Sequence, residues 1–144
     1  ALFNKRSGMM GMTGFGDLRE VHRLVAEGNE DAKLALDVYV HRIVGYIGNY
    51  TAQMGGVDVI TFTAGVGEND DVVRKMVCDK LAPFGVKLDE EKNATRSKEP
   101  RIISTPDSKI TICVIPTNEE LAIARKSAAI AEAGEDTYGN VFSK

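Results

Sequence analysis

The sequence predicts an α/β fold in which helices pack on a short mixed sheet. Three observations carry this expectation. Residues 30 to 54 repeat apolar side chains at three- and four-residue steps over a long span. Residues 57 to 64, VDVITFTA, form a short apolar run with the β-branched and aromatic content of a strand. Two strand candidates lead straight into helix-opening patterns, at 64–69 and at 115–120.

The elements follow in order. Residues 7 to 16, SGMMGMTGFG, hold four glycines and read as a loop. Asp17 with Glu20 makes a loose capping box for a helix from about Leu18 to Glu27, with Val21, Leu24 and Val25 on one face and Gly28 at its end. Asn29 caps a longer helix, and Glu30 and Asp31 suit the positive end of its dipole. Its stripe is Ala32, Ala35, Leu36, Tyr39, Ile43, Ile47, Tyr50 and Met54; Val38, Val40 and Val44 widen it, so burial on two sides is expected. Gly45 and Gly48 inside this helix cost about 1 kcal/mol each relative to alanine, which close packing against another element would offset. Gly55-Gly56 stops it.

VDVITFTA is apolar on both faces apart from Asp58 and the threonines, as in parallel strands covered on both sides. A Gly-Val-Gly turn follows. Asn69 is the expected cap of a helix from about Asp70 to Leu81, with Val72, Val73, Met76, Val77 and Leu81 inward. VKL, RIIS and ITICVIP are further strand candidates, separated by the polar loop DEEKNATRSKEP and the turn TPDSK. Thr117 and Glu120 form a T-x-x-E capping box that opens a last helix from about Asn118 to Ala131. The expected organisation is one domain over 1–132 and a polar tail over 133–144.

Composition narrows the function. The 144 residues are 43% hydrophobic and 27% charged, which fits a folded globular domain. The net charge of -3 and the lack of a dense Lys/Arg cluster argue against nucleic acid as partner. Cys78 and Cys113 are too far apart to suggest a disulfide framework and read as core thiols of a reducing, cytoplasmic setting. His22 and His41 do not form an HxxxH metal pair. No apolar run reaches about 18 residues, so no membrane span is expected, and no signal peptide is recognised. The opening ALFNKRSGMMG carries neither an initiator Met nor a capped element, so the chain is expected to be a piece of something longer.

The chemistry gathers at the strand-to-helix passages, because ligands of open α/β sheets bind beyond the carboxyl ends of strands. In AGVGEN, Gly65 and Gly67 permit positive φ and a close approach of backbone to ligand. Asp70 and Asp71 stand against a phosphate there, and neither a P-loop nor GxGxxG is present. A tight turn and a loop for the sugar or base end of a nucleotide both account for the glycines. Glu119 can hold Mg²⁺ or merely favour the helix dipole. Asp17 reads most simply as a cap and Arg19 as solvated, although an Arg beside a glycine-rich loop can also stack on a base or pair with a phosphate.

Together, NKRSGMMGMTG with DLR, VDVITFTAGVGEN, and ISTPDSKITICVIPTNEELAIAR resemble, in that order, the C-terminal part of the acetate kinase family, from about Phe3 to Arg125. The resemblance implies a ribonuclease-H-like domain of the actin, Hsp70 and sugar-kinase superfamily, here incomplete, with ATP/ADP in a cleft between two such domains. It makes 1–132 a C-terminal nucleotide-binding domain. It assigns Gly65, Val66, Gly67, Glu68 and Asn69 to the adenosine motif and Asp17, Leu18 and Arg19 to a second adenosine-contacting stretch. Leu18 stands where the family often carries an aromatic. It assigns Glu119 to Mg²⁺ and leaves Glu120 to the cap. The implied parent reaction is ATP plus acetate giving ADP and acetyl phosphate, in a homodimer. The phosphate hairpins, the acetate pocket and the catalytic Arg, His and Asp of the family have no counterpart here, so no catalytic residue is assigned and this chain alone is expected to be inactive. Propionate kinase, and a non-catalytic nucleotide-binding or dimerisation module, are the competing readings.

Overall fold

A computed structural model describes residues 2–133. Eight helices and three strands are present among them: α1 (Leu2–Lys5), α2 (Gly8–Thr13), α3 (Leu18–Ala26), α4 (Glu30–Met54), β1 (Val59–Phe62), α5 (Ala64–Asn69), α6 (Asp71–Leu81), α7 (Glu90–Ala94), β2 (Arg101–Ile102), β3 (Thr111–Val114) and α8 (Glu119–Ala133), with a 3₁₀ turn at Ala82–Phe84. The polar tail beyond residue 133 lies outside the described residues. No described helix is long and apolar enough to cross a membrane.

The sheet is small and mixed, as expected. Its order is β1-β3-β2, with β1 parallel and β2 antiparallel to β3. Of the three further strand candidates, RIIS and ITICVIP supply β2 and β3, whereas VKL makes only an isolated bridge, Leu88 to Ser104. One face of the sheet is covered. Phe62, Ile112 and Val114 join Val21 of α3, Leu36 and Val40 of α4, and Val73, Val77 and Leu81 of α6 in a single core. The other face is open, with Val59 at 51% exposure, so β1 is not the doubly buried strand its composition suggested. β1 is an edge strand, and its apolar residues outrun the cover this chain supplies.

Helix α4 departs from expectation in the same way. Asn29 caps it through Ala32 N–H, and Ala32, Ala35, Leu36 and Val40 are buried. The stripe then runs off the body: Tyr50 and Met54 are 56% and 65% exposed. A Cβ added at Gly45 or Gly48 would meet nothing within 4 Å, so no close packing among the described residues accounts for those glycines.

The glycine-rich start is not a loop. Met9, Met10 and Met12 outweigh the glycines, and α2 forms and packs Met9 against the core. Gly14, in the left-handed conformation, ends it by donating to Met10 O. Likewise the polar stretch DEEKNATRSKEP contains α7, capped by Asp89 through Lys92 N–H, with Asn93 buried.

Asn93 is buried to receive Arg74, which is only 2% exposed. Arg74 Nε donates to Asn93 Oδ1 at 2.8 Å and Nη2 to Asn93 O at 2.7 Å. Nη1 donates to Gly67 O and Glu68 O, both at 2.9 Å. Replacing Arg74 by Met keeps the bulk but strips these acceptors of their donor. Unfolding in urea should show a loss of about 3 kcal/mol with an unchanged slope. Arg74→Lys should recover only part, since one ammonium cannot span the fork. A loss below about 0.5 kcal/mol would show that the carbonyls find other partners.

Candidate functional site

The passage from β1 into α6 is a short helix rather than a Gly-Val-Gly turn. Ala64 makes the corner, with φ +58, the left-handed region that costs an L-residue about 1–2 kcal/mol. Neither Gly65 nor Gly67 has a positive φ. Their uses differ. A Cβ on Gly67 would stand 3.1 Å from the carbonyl carbon of Phe62, so Gly67 lets α5 fold back against the end of its own strand. A Cβ on Gly65 would meet nothing within 4 Å, and Gly65 faces an open groove.

The cap of α6 is Asp70, not Asn69. Asp70 Oδ1 accepts from Val73 N–H at 2.9 Å, while Asn69 turns its amide back to Gly65 O at 2.8 Å. Thr117 does not cap α8 either. Asn118 does, through Leu121 N–H, so Glu120 has no capping box to complete. The Thr117 N–H and hydroxyl both donate to Glu68 Oε1, at 2.8 and 3.0 Å. This pair joins α5 to the linker between β3 and α8.

The groove above Gly65 has a volume of about 740 Å³. One wall is Gly65, Val66, Asn69 and Asp70; the other is Gly16, Asp17, Leu18 and Arg19; Met9, Tyr39 and Arg96 close the remainder. Six of the sequence-predicted residues, Asp17, Leu18, Arg19, Gly65, Val66 and Asn69, thus share one cavity. Gly67 and Glu68 do not line it. Gly67 lies beneath against Phe62, and Glu68 faces a neighbouring groove with Thr117, Asn118 and Arg96. Glu119 lines a third, shallower hollow together with Ala64 and Gly65.

Charge in the main groove is mostly paired off. Asp17 caps α3 through Arg19 N–H and accepts from the Arg19 guanidinium with both oxygens. The Arg19 side chain holds the Asp17 carboxyl down at about 2. Glu20, expected to complete a capping box, pairs with Arg23 instead. Asp70 Oδ2 lies 2.7 Å from His22 Nε2. Burial raises the Tyr39 phenol above its ordinary value, and the Asp70 carboxylate adds to the shift.

Comparison with known proteins decides the family. The Acetokinase family model matches residues 1–125. The chain belongs to the acetokinase family. The acetate kinase of Oleidesulfovibrio alaskensis is 51% identical over 129 residues, 90% of this chain and 32% of that protein. The crystal structure of Porphyromonas gingivalis acetate kinase superposes with a TM-score of 0.80 at 44% identity, covering 90% of this chain and 33% of the other. A propionate kinase from Francisella tularensis gives a TM-score of 0.77 at 40% identity, over 85% and 31%. The chain therefore spans about a third of the length of the curated relatives it matches. Its fold is the actin/Hsp70-like fold of these kinases, here helix-rich around a three-stranded mixed sheet.

Within this acetokinase-family chain, three supporting residues escaped the sequence reading. Arg74 and Asn93 look like solvated positions on a helix and in a polar loop. His22 looks like a lone polar residue on an amphipathic helix. The only signal was positional, since Arg74 falls beside Val73 and Val77 on the inward side of α6.

Two tests follow from the corner. Gly67→Ala should cost about 1–3 kcal/mol, because backbone faces the new methyl. Gly65→Ala should leave stability within about 0.5 kcal/mol. Ala64→Gly should gain about 1 kcal/mol by relieving the left-handed alanine; a loss would mean that chain entropy outweighs that relief. A third test uses pH. The Glu68 carboxyl is lowered chiefly by the Thr117 N–H. Its contribution is present above the ordinary value of about 4.3 and disappears as pH falls through the lower folded value. The Thr117 amide resonance should therefore titrate with a midpoint below that of an ordinary glutamate.

Proposed function

We propose that this chain is the adenosine-binding side of an acetate kinase, whose whole enzyme moves the γ-phosphoryl group of ATP reversibly to acetate to give acetyl phosphate. The observation that carries this reading is the shared groove. Asp17, Leu18 and Arg19 face Gly65, Val66 and Asn69 across a space of about 740 Å³. Met9, Leu18 and Val66 offer apolar surface for a base, and the Tyr39 hydroxyl and the Asn69 side-chain oxygen offer partners for ribose hydroxyls and ring amino groups. Leu18 packs a base by apolar contact where an aromatic would stack. Gly65 leaves the backbone bare on that side. Gly67 and Glu68 serve the site from behind, one by close packing and the other by holding Thr117.

Glu119 is the proposed Mg²⁺-associated carboxylate. It shares its hollow with Gly65 and Ala64, on the strand-end side of the fold. Among the described residues, no cluster of three His, Cys, Asp or Glu side chains is present. Mg²⁺ keeps several waters and takes one or two carboxylates along with substrate phosphates, so a single carboxylate can serve it. Neutralisation of phosphate charge is the chemistry the ion supplies when bound. This chain's own part is to seat the nucleoside and hold Glu119 near it through the Glu68–Thr117 contact. The same hollow supports the kinase reading over a purely non-catalytic module, which has no need of a carboxylate there.

The likeness to a propionate kinase keeps propionate as the second acceptor acid. Acid choice is proposed to lie outside the matched third of the enzyme. The homodimer, the cytoplasmic setting, the domain limits 1–132 and the small-molecule partners belong to the same proposal.

Calorimetric titration with Mg-ADP tests it. The wild-type chain should bind, and Gly65→Asp should weaken binding at least about tenfold, by about 1.4 kcal/mol, with little change in Tm. Equal binding by both would remove Gly65 from the site. The chain alone should form no acetyl phosphate from ATP and acetate. Turnover by the purified chain would refute the division of labour.

A further inference from the structure

The two walls of the groove are carried by separate parts of the chain. One is the start of α3, the other the α5–α6 corner. Among the described residues, one side-chain hydrogen bond or ion pair connects α3 with that corner: His22 Nε2 to Asp70 Oδ2, at 2.7 Å. Asp70 also uses Oδ1 to cap α6 through Val73 N–H, and its own N–H donates to Val66 O at 2.9 Å. It therefore fixes three things at once: the end of α5, the start of α6 and the imidazole of α3. His22 sits four residues beyond Leu18, one turn along the same helix. The pair is withdrawn from solvent, with side-chain exposures of 25% and 12%.

We propose that His22 is a positioning residue for the nucleotide groove, setting the separation of its two walls through Asp70. The inference rests on the nucleotide reading of that groove. His22 does not line the groove, whereas Asp70 does. The side chain thus acts through its partner and not by touching the ligand. With Nε2–H as donor, the imidazole also occupies an oxygen of Asp70 that would otherwise face the ligand as an uncompensated carboxylate. Asp70 would repel an anionic ligand if left alone; held by His22 and Val73 it becomes part of the wall.

The test uses the 144-residue chain with His22→Ala and His22→Gln, read by amide NMR and by Mg-ADP titration. Glutamine places a neutral N–H donor near the position of Nε2. His22→Ala should shift the amides of Leu18 and Arg19 and also those of Gly65 to Asn69, and should weaken Mg-ADP binding about tenfold. His22→Gln should restore both to within about threefold of wild type, which a loss of packing alone would not allow. The wild-type imidazole should show a protonated Nε2 by ¹⁵N NMR. Shifts confined to α3, or a glutamine variant no better than alanine, would overturn the proposal. If wild type itself fails to bind Mg-ADP while the amide shifts cross the groove and recover with glutamine, the strut stands and the nucleotide reading falls.

Discussion

The Arg74 guanidinium is the interaction on which the rest of the structure depends. A six-residue helix such as α5 has no stability of its own, because nucleation costs more than one turn returns. Its last carbonyls, Gly67 and Glu68, are collected by Arg74 from the next helix, and the same fork reaches Asn93 in α7. Asn93 closes the circuit by donating to Asp71 O. A charge buried this deeply is tolerable only because its donors are met by oriented oxygens. The network converts a string of small residues into a shelf of fixed height at the strand end.

The shelf then serves three neighbours, two of them through acids and one through backbone carbonyls. Asp70 reaches α3, Glu68 reaches the linker to α8, and the carbonyls go to Arg74. The grouping explains how a segment rich in carboxylates can border the groove proposed for a nucleotide. Asp17 is matched by Arg19 and Asp70 by His22, so the acids act as struts and caps before they act as field sources. What remains for a ligand is apolar surface, bare backbone, hydrogen-bonding atoms and the Arg96 side chain.

Much of this was legible in the chain. Asp17 and Asn29 announced their helices, because an oxygen one position before an amphipathic repeat has few other uses. VITF and TICV announced their strands by β-branched content. The site stretches were legible only as a set, since each has an ordinary structural explanation alone. The misread caps share one cause. Composition does not say which of two adjacent polar residues takes a tertiary partner. Asn69 looked like the cap and Asp70 took it; Thr117 looked like the cap and Glu68 drew it away, leaving Asn118. The glycines misled for a related reason: Gly67 is small to admit Phe62, not to twist the backbone, and the unusual torsion fell on Ala64. Burial of β1 and of the far end of α4 was over-read, because an apolar stripe does not say what covers it: Val59, Tyr50 and Met54 stay exposed.

The pairing of β1 with β3 has a kinetic consequence. The two strands run parallel, with Phe62 beside Val114, so the connection between them must cross through α5, α6, α7 and β2 before a single ladder bond forms. Helices α3 and α4 meet through a short turn and need little loop closure, whereas the α5 corner is placed only after that long excursion closes. The two sides of the groove are thus expected to mature at different times during folding, with the helical side waiting for the strand side. A newly made chain would hold one wall of the groove until β3 arrives.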